Sequence, residues 1–200
     1  EFVRRVDVQS DTVEHYIQEG KIQPDLVVPM SEHRSFKYFK EETLVASAEQ
    51  YGWTLINDDN RKTIFMNMIQ RMDMTYSYKP VLIMAMLAYS DSKGRVKLSD
   101  IVLYFRRFYS DRRRQGLMIE RSNSIYCRED ITDKQIERHI LMKPFRRFEE
   151  MHMMRHTKTL GIIEMDNSVW KRLTEAEKTE IKGICEEKLG LYYRRIEEQP

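Results

Sequence analysis

The apolar positions of this chain recur mainly with the 3.6-residue period of an α-helix. Glycines and prolines lie between the segments that show this period, and these residues end helices and turn the chain. The pattern therefore predicts a mostly helical fold, with a small β-hairpin described below. The predicted helices cover residues 10–19, 35–51, 58–72, 80–90, 99–115, 133–142 and 175–195.

Several helix starts carry a recognisable capping signal. Thr132 with Gln135, and Thr174 with Glu177, have the spacing of a capping box, in which two side chains bond the free backbone N–H groups reciprocally. Ser77 is a candidate cap for the apolar helix at 80–90, which we expect to be the central core helix.

The period changes after the helix at 133–142. Residues 147–156 and 160–165 alternate as strands do, and they flank a turn whose tip is predicted near Lys158. With a short strand at 95–97, the order of helices and strands matches that of a winged helix. However, the linker 116–131 is much longer than the turn of an ordinary helix-turn-helix, so another mostly helical arrangement stays open.

The prolines near residue 30 indicate a boundary in the chain. Pro24 and Pro29 bracket an apolar segment that is typical of a linker or an extended strand. We therefore predict an N-terminal helix and linker at residues 1–30, followed by a helical domain at 31–200. Within that domain, residues 77–166 would form the core, and a helix at 175–195 would close it.

Basic residues concentrate in the middle of the chain. Residues 79–170 carry 18 basic and 12 acidic side chains, whereas residues 1–78 carry 9 and 13, and residues 171–200 carry 7 and 7. An anionic partner is expected to dock where positive charge is in excess. The residues predicted to bind nucleic-acid backbone are Arg106, Arg107, Arg112, Arg113 and Arg114 on one helix, and Lys143, Arg146, Arg147, Arg155 and Lys158 at the hairpin.

Two interpretations of the arginine run stay open. Its guanidinium groups can neutralise phosphates without reading sequence, with Tyr104 or Tyr109 stacking nearby. Alternatively, arginines near a helix C-terminus are favoured by the helix dipole and form a solvated helix end. Arg112 falls near the apolar stripe, where pairing with a carboxylate is expected.

The sequence contains no catalytic signature. The phosphate-binding GxxxxGK[ST] loop and an acidic two-metal cluster are both missing, and His156-Thr157-Lys158 lacks the acid that completes a phospholipase D-type motif. His139, His152 and His156 with Cys127 do not have the spacing of a zinc site. We therefore expect a non-catalytic domain without a cofactor or metal of its own.

Cysteine content and hydropathy predict the compartment. Cys127 and Cys185 are far apart and form no disulfide framework, and no apolar run reaches membrane-spanning length. A cytoplasmic protein without membrane contact is the simplest expectation. The chain begins with Glu1 rather than Met, so we expect it to belong to a longer protein.

Several segments resemble the C-terminal region of bacterial DEAD/DEAH-box helicases, the superfamily-two, restriction-type proteins. The similarity covers roughly residues 35–195, and the segments that carry it are YFKEETL (38–44), YGW (51–53), MDMTYSYKPVL (72–82), YFRRFYSDRRRQGL (104–117), KPFRRFEEM (143–151) and VWKRL (169–173). The resemblance implies a parent helicase or translocase in defence or repair. ATP and Mg²⁺ are implied for that parent only, because the motor motifs lie outside this sequence.

Three hypotheses about function follow, and the third of them is a nuclease with a divided active site that another domain completes. In the first, this is an accessory domain that binds DNA through the basic helix and hairpin and helps the helicase motor engage its substrate. In the second, it is a protein-interaction or structural module that docks on the motor or on a partner subunit, with its basic residues paired internally. The pairing of the arginine run distinguishes the first two.

Overall fold

The computed structural model describes residues 2, 5–8, 10–31 and 34–198. The chain divides into two compact units, which we call unit 1 (residues 1–60) and unit 2 (residues 61–200). Unit 1 contains α1 (Ser10–Gln18), β1 (Leu26–Ser31), β2 (Arg34–Tyr38) and α2 (Glu41–Tyr51). The first elements of unit 2 are α3 (Arg61–Gln70), α4 (Tyr78–Tyr89), β3 (Arg95–Lys97) and α5 (Leu98–Arg114). It continues with α6 (Asp133–Met142), α7 (Pro144–Glu150), β4 (Met154–Thr157), β5 (Ile162–Met165), α8 (Asn167–Trp170) and α9 (Glu175–Glu198).

Unit 1 has its own small core, and this core explains where the unit ends. Leu44 of α2 lies in one buried apolar cluster with Val6, Val13 and Ile22. Residues 41–51 therefore pack with the N-terminal segment, whereas the sequence pattern grouped them with the helices that follow. The two compact units divide between residues 60 and 61.

The helix predicted at 35–51 is shorter in the structure. Residues 34–38 form β2, which pairs antiparallel with β1, so that Phe36 faces Val28 and Tyr38 faces Leu26. The helix α2 begins only at Glu41, next to Asp25, whose carboxylate accepts hydrogen bonds from the Lys40 amide and the Thr43 hydroxyl. Aromatic and β-branched residues favour this pairing over helix.

Unit 2 is built around α4, as its uniformly apolar sequence predicts. Val81, Leu82 and Ile83 are each 0% exposed, and α4 packs against α5, α7 and α9. Both predicted capping boxes are confirmed, at Thr132 with Gln135 and at Thr174 with Glu177. Among the described helices, none has both the length and the apolar character that a membrane crossing requires.

The small sheet of unit 2 joins the short strand to the hairpin. Its strand order is β3-β5-β4, all antiparallel, with Val96 and His156 both opposite Ile163. Gly94 precedes β3 with a φ of +76°, and an added Cβ would lie 2.6 Å from the Trp170 ring, so only glycine fits this turn.

The predicted hairpin began too early in the chain. Residues 144–150 form α7 rather than a strand, and β4 begins only at Met154. Pro144 occupies the first turn of α7, where a missing N–H is tolerated, and Phe145 and Phe148 are buried on one helical face. The burial of these two rings at helical spacing outweighs the strand-like alternation of the segment.

Candidate functional site

The long linker between α5 and α6 (residues 115–132) is anchored to unit 2 by one buried carboxylate. Glu120 is 4% exposed, and its carboxylate accepts hydrogen bonds from the Ser77 amide at 2.9 Å, the Ser77 hydroxyl at 2.5 Å, the Tyr192 hydroxyl and the Arg121 amide at 3.0 Å. Ser77, predicted as a helix cap, thus bonds Glu120 instead, and its hydroxyl also contacts Tyr109 at 2.8 Å. The linker is therefore held against the helices of unit 2 by these hydrogen bonds.

Three arginines of the sequence-predicted surface hold the same linker. Arg112 donates from Nε to the Met118 carbonyl at 2.7 Å, and its guanidinium lies 3.2 Å from the centre of the Tyr193 ring. Arg113 donates to the carbonyls of Tyr126 and Arg128, both at 3.0 Å.

Arg106 joins the far end of the linker to α6. It donates to the Ile131 carbonyl at 2.9 Å and to the Asp133 carboxylate at 2.8 Å. Arg114 pairs with Asp111, whereas Arg107 is exposed and has no ion pair within the described chain. Most of the arginine run therefore makes contacts inside unit 2, and its predicted role in binding nucleic acid stays a prediction.

The predicted hairpin cations separate into two groups. Arg146 and Arg147 lie on α7 near Glu150, at 3.0 and 3.9 Å, and Lys143 immediately precedes that helix. Only Arg155 and Lys158 belong to the hairpin. Arg155 bonds Glu164 across the sheet, and Lys158 is exposed between β4 and β5.

The linker and α6 line an open cavity of about 400 Å³, which we call the aromatic cavity. At its base the Tyr76 and Tyr78 rings are stacked, 4.9 Å apart and inclined by 4°. Tyr78 donates to the Ser124 hydroxyl at 2.8 Å and meets the His139 ring edge-on, so its position is fixed. The remaining lining residues are Asp73, Thr75, Lys79, Asn123, Ile125, Lys143 and Pro144.

A second cavity of about 230 Å³ adjoins the first, and we call it the α6 cleft. The two share Ile125, His139 and Lys143 in their linings. The α6 cleft adds Arg128, Ile131, Gln135, Arg138 and Met142. The pair forms one continuous surface with aromatic and aliphatic walls and a basic rim.

The rim cations are free to meet an external anion. Arg128, Arg138 and Lys143 are exposed and make no ion pair with any described carboxylate. Among the described residues, the hydrogen-bond acceptor of the Lys79 ammonium group is the Asp73 carbonyl, at 3.2 Å. Burial, followed by the nearby Arg147 charge, lowers the pKa of Lys79, and the charge of the Asp73 carboxylate offsets this only in part. A bound anion would relieve the remaining cost of burial.

His139 lies where the two cavities meet. Its Nδ1 is 3.2 Å from the Tyr126 hydroxyl, and its ring packs edge-on against Tyr78 and Tyr126. Burial, with a smaller contribution from the Lys143 charge, lowers the pKa of His139 to about 4. The imidazole is therefore neutral at neutral pH, and it serves as an aromatic wall rather than as a cation.

This low pKa predicts a pH-dependent stability. The unfolded chain takes up the proton near the ordinary value of 6.5, but the folded chain does so only near 4, so stability is present above pH 6.5 and is lost as the pH falls toward 4. After allowance for solvent screening, we expect a loss of about 2 kcal/mol between about pH 7 and about pH 4.5. Urea unfolding of the wild type and of His139→Gln at both pH values measures it. If the free energy of unfolding changed with pH by the same amount in the two proteins, the lowered pKa of His139 would be contradicted.

The histidines do not form a metal site in the part of the chain that the structure describes. No group of three histidine, cysteine or acidic side chains there has metal-binding geometry. His139 lies at the two cavities and His156 beside Phe145, while the Cys127 thiol contacts the carbonyls of Glu120 and Arg121.

Sequence reasoning predicted only one residue of the rim, Lys143. It missed Lys79, Arg128 and Arg138, because these lie in three separate segments that only the folded linker brings together. Tyr76 and Tyr78 are two residues apart just before Lys79, and this spacing was the local feature that could have indicated the stacked pair.

Comparison with known protein families, curated proteins and solved structures returned no match for this chain. The helicase resemblance therefore stays a prediction.

Proposed function

We propose that unit 2 is a non-catalytic accessory domain that binds nucleic-acid backbone, as part of a DNA helicase or translocase. The observation that carries this proposal is the set of rim cations that form no ion pair with a carboxylate of the described residues. Lys79, Arg128, Arg138 and Lys143 line two adjoining cavities, and Asp73 is the one acidic residue in either lining. Such a surface suits a chain of phosphates, because each contact releases condensed counterions from the nucleic acid.

The charge distribution between the units supports the same proposal. Unit 2 carries 28 basic and 20 acidic side chains, whereas unit 1 carries 6 and 12. Net charges of +8 and −6 follow for the two units. The positive potential of unit 2 would draw a polyanion toward it and raise the association rate at low salt.

The topology of unit 2 supports a winged-helix-like core. The elements α4, β3, α5 and α6 follow one another in the chain, and the β4–β5 hairpin comes after them with the short helix α7 in between. The strand β3 joins the hairpin in one small sheet. In this arrangement α6 would face the nucleic acid and Lys158 would contact it from the hairpin as a wing does. Arg138 lies on α6, so the rim cations and the proposed recognition helix belong to one surface.

The helicase assignment rests on the resemblance of residues 35–195 to the accessory regions of such proteins. Any ATP hydrolysis, with its Mg²⁺, would belong to the motor domain of a parent chain. The domain described here would increase the affinity of that motor for DNA or orient the strand that enters it. Sequence specificity is not expected, because phosphate contacts carry no base information.

The test is DNA binding by the full chain with three rim cations replaced. Arg128→Ala, Arg138→Ala and Lys143→Ala together should flatten the log–log salt slope on duplex DNA by about 2.7, because each lost phosphate contact removes about 0.9. Fluorescence anisotropy between about 50 and 200 mM salt measures this slope.

A matched control removes three lysines from the acidic unit. Lys21→Ala, Lys37→Ala and Lys40→Ala together change the net charge of the chain equally, and they should leave the slope unchanged. Undetectable binding by the wild type at low salt would refute the proposal. An equal effect of the two triple variants would show that net charge alone matters.

A second candidate function is favoured by the internal pairing of the arginines. Arg106, Arg112 and Arg113 all contact unit 2 itself, as a protein-interaction or structural module predicts. Unit 1 also presents apolar side chains on its hairpin, including Met30 at 61% and Leu26 at 57% exposure. This candidate becomes the better one if the wild type binds neither duplex nor single-stranded DNA at low salt.

A further inference from the structure

The aromatic cavity has the features of a site for a single aromatic group. Tyr76 is half-buried, and its ring stacks on Tyr78, which is only 7% exposed, while the Arg121 guanidinium lies 6.0 Å from the centre of the Tyr76 ring. Because Ser124 and His139 hold Tyr78 in place, the pair is a rigid platform. Rigid aromatic side chains at an exposed cavity are the usual stacking surfaces for nucleobases, whatever their sequence.

Polar groups lie beside this platform. The Asn123 side chain lies beside the Tyr76 hydroxyl. Its Nδ2 is placed to donate to that hydroxyl at 3.0 Å, and its Oδ1 to accept from it at 3.2 Å. Thr75 and Asp73 line the same cavity. Its volume of about 400 Å³ lies within the range of small-molecule sites.

The positive charge lies at the same place as the aromatic platform. Lys79 and Lys143 both line the aromatic cavity, and Arg128 and Arg138 continue the basic rim into the α6 cleft. A ligand that carries an aromatic ring and an adjacent anion, repeated along a chain, fits this combination. The bases of a duplex are paired and stacked, so only an unpaired nucleotide can offer its ring to the cavity.

We propose that the aromatic cavity holds one unpaired nucleobase of a single-stranded segment, with the adjoining phosphate at Lys79 and Lys143. This proposal rests on the proposed function and adds a preference for single-stranded or forked nucleic acid. The base stacks against the Tyr76 platform, Asn123 bonds its edge, and the strand continues along the α6 cleft past Arg138. The ammonium group of Lys79 is partly desolvated, and among the described residues it bonds a carbonyl, so the phosphate gives it an anionic partner.

The first test compares two probes on the wild-type full chain. An oligothymidylate and an abasic strand of the same length carry the same phosphates, so their difference in affinity measures the contribution of the bases alone. We expect the oligothymidylate to bind about 5- to 100-fold more tightly. Equal affinities for the two strands would overturn this proposal while leaving backbone binding intact, whereas no binding of any strand would remove both.

The second test locates the effect at Tyr76. Tyr76→Ala should lose about 5- to 100-fold in affinity for oligothymidylate and almost nothing for the abasic strand or for duplex DNA. Tyr76→Phe keeps the ring and should retain the affinity, and Tyr89→Ala, which removes a tyrosine from the other end of α4, serves as the matched control. A uniform loss across all three probes would overturn the stacking assignment.

An acidic peptide is the alternative occupant that the same cavity admits. A glutamate-rich peptide carrying one phenylalanine supplies an anion and a ring without any nucleotide. If this peptide binds in a manner that Tyr76→Ala abolishes, while oligothymidylate does not bind, the cavity belongs to a protein partner and the proposal fails.

Discussion

Replacing Glu120 with alanine is expected to lower the free energy of unfolding by about 3–5 kcal/mol. The carboxylate is buried and accepts four hydrogen bonds, from two groups of Ser77, from the Tyr192 hydroxyl and from the Arg121 amide. Its removal takes the shared acceptor away from these donors in a buried site, and the Ser77 hydroxyl keeps only its contacts with Tyr109 and Tyr193. Chemical unfolding followed by circular dichroism measures the change.

Two further variants separate the effect of the Glu120 hydrogen bonds from the effect of losing a negative charge. Glu137→Ala removes an exposed carboxylate from α6 and should change the stability by less than about 0.5 kcal/mol. Glu120→Gln keeps one accepting oxygen but turns an amide N–H₂ toward other donors, so we expect an intermediate loss of about 1–3 kcal/mol. If Glu120→Ala proves as stable as Glu137→Ala, the linker is not anchored in the way described.

Replacing Arg112 and Arg113 together with alanine is expected to lower the free energy of unfolding by about 2–4 kcal/mol. The double variant loses three hydrogen bonds to linker carbonyls and the contact between the Arg112 guanidinium and the Tyr193 ring. At a temperature where the variant is still folded, its affinity for DNA should fall by less than that of the rim variant. Unfolding and anisotropy on one protein preparation give both values.

The neighbouring arginines provide the control for this pair. Arg107→Ala with Arg114→Ala removes the same charge from α5, but both side chains are exposed, so the stability should change by less than about 0.5 kcal/mol. A stable Arg112–Arg113 variant with strongly reduced DNA affinity would instead place the phosphate contacts on the arginine run, as the sequence alone predicts.

Local features of the fold were predictable because their causes lie within a few residues of one another. The apolar run 80–90 predicted the buried helix α4, and the spacing of Thr132 and Gln135 predicted a capping box with both hydrogen bonds present. The helix predicted at 35–51 was wrong at its first residues, which form the strand β2. This strand exists because Phe36 pairs with Val28 of β1, a contact that a local pattern does not show.

The candidate site was likewise predictable from the sequence only in part. Sequence identified the basic segments, and Lys143 lies on the rim of both cavities. It did not show that Arg113 bonds the carbonyls of Tyr126 and Arg128 while Arg138 forms no ion pair with the residues that the structure describes. In a linear pattern these arginines are equivalent, because each is a cation on a helix.

The sequence by itself determined the helical character of this protein, its short hairpin and the basic character of its middle third, since period, capping residues and charge are all local properties. The tertiary structure alone decided which cations remain free. The linker folds back so that Glu120 meets Ser77, and this return brings Lys79, Arg128 and Lys143 to adjoining cavities. Contacts between groups distant in the chain depend on the packing of the whole unit, and no local pattern records them.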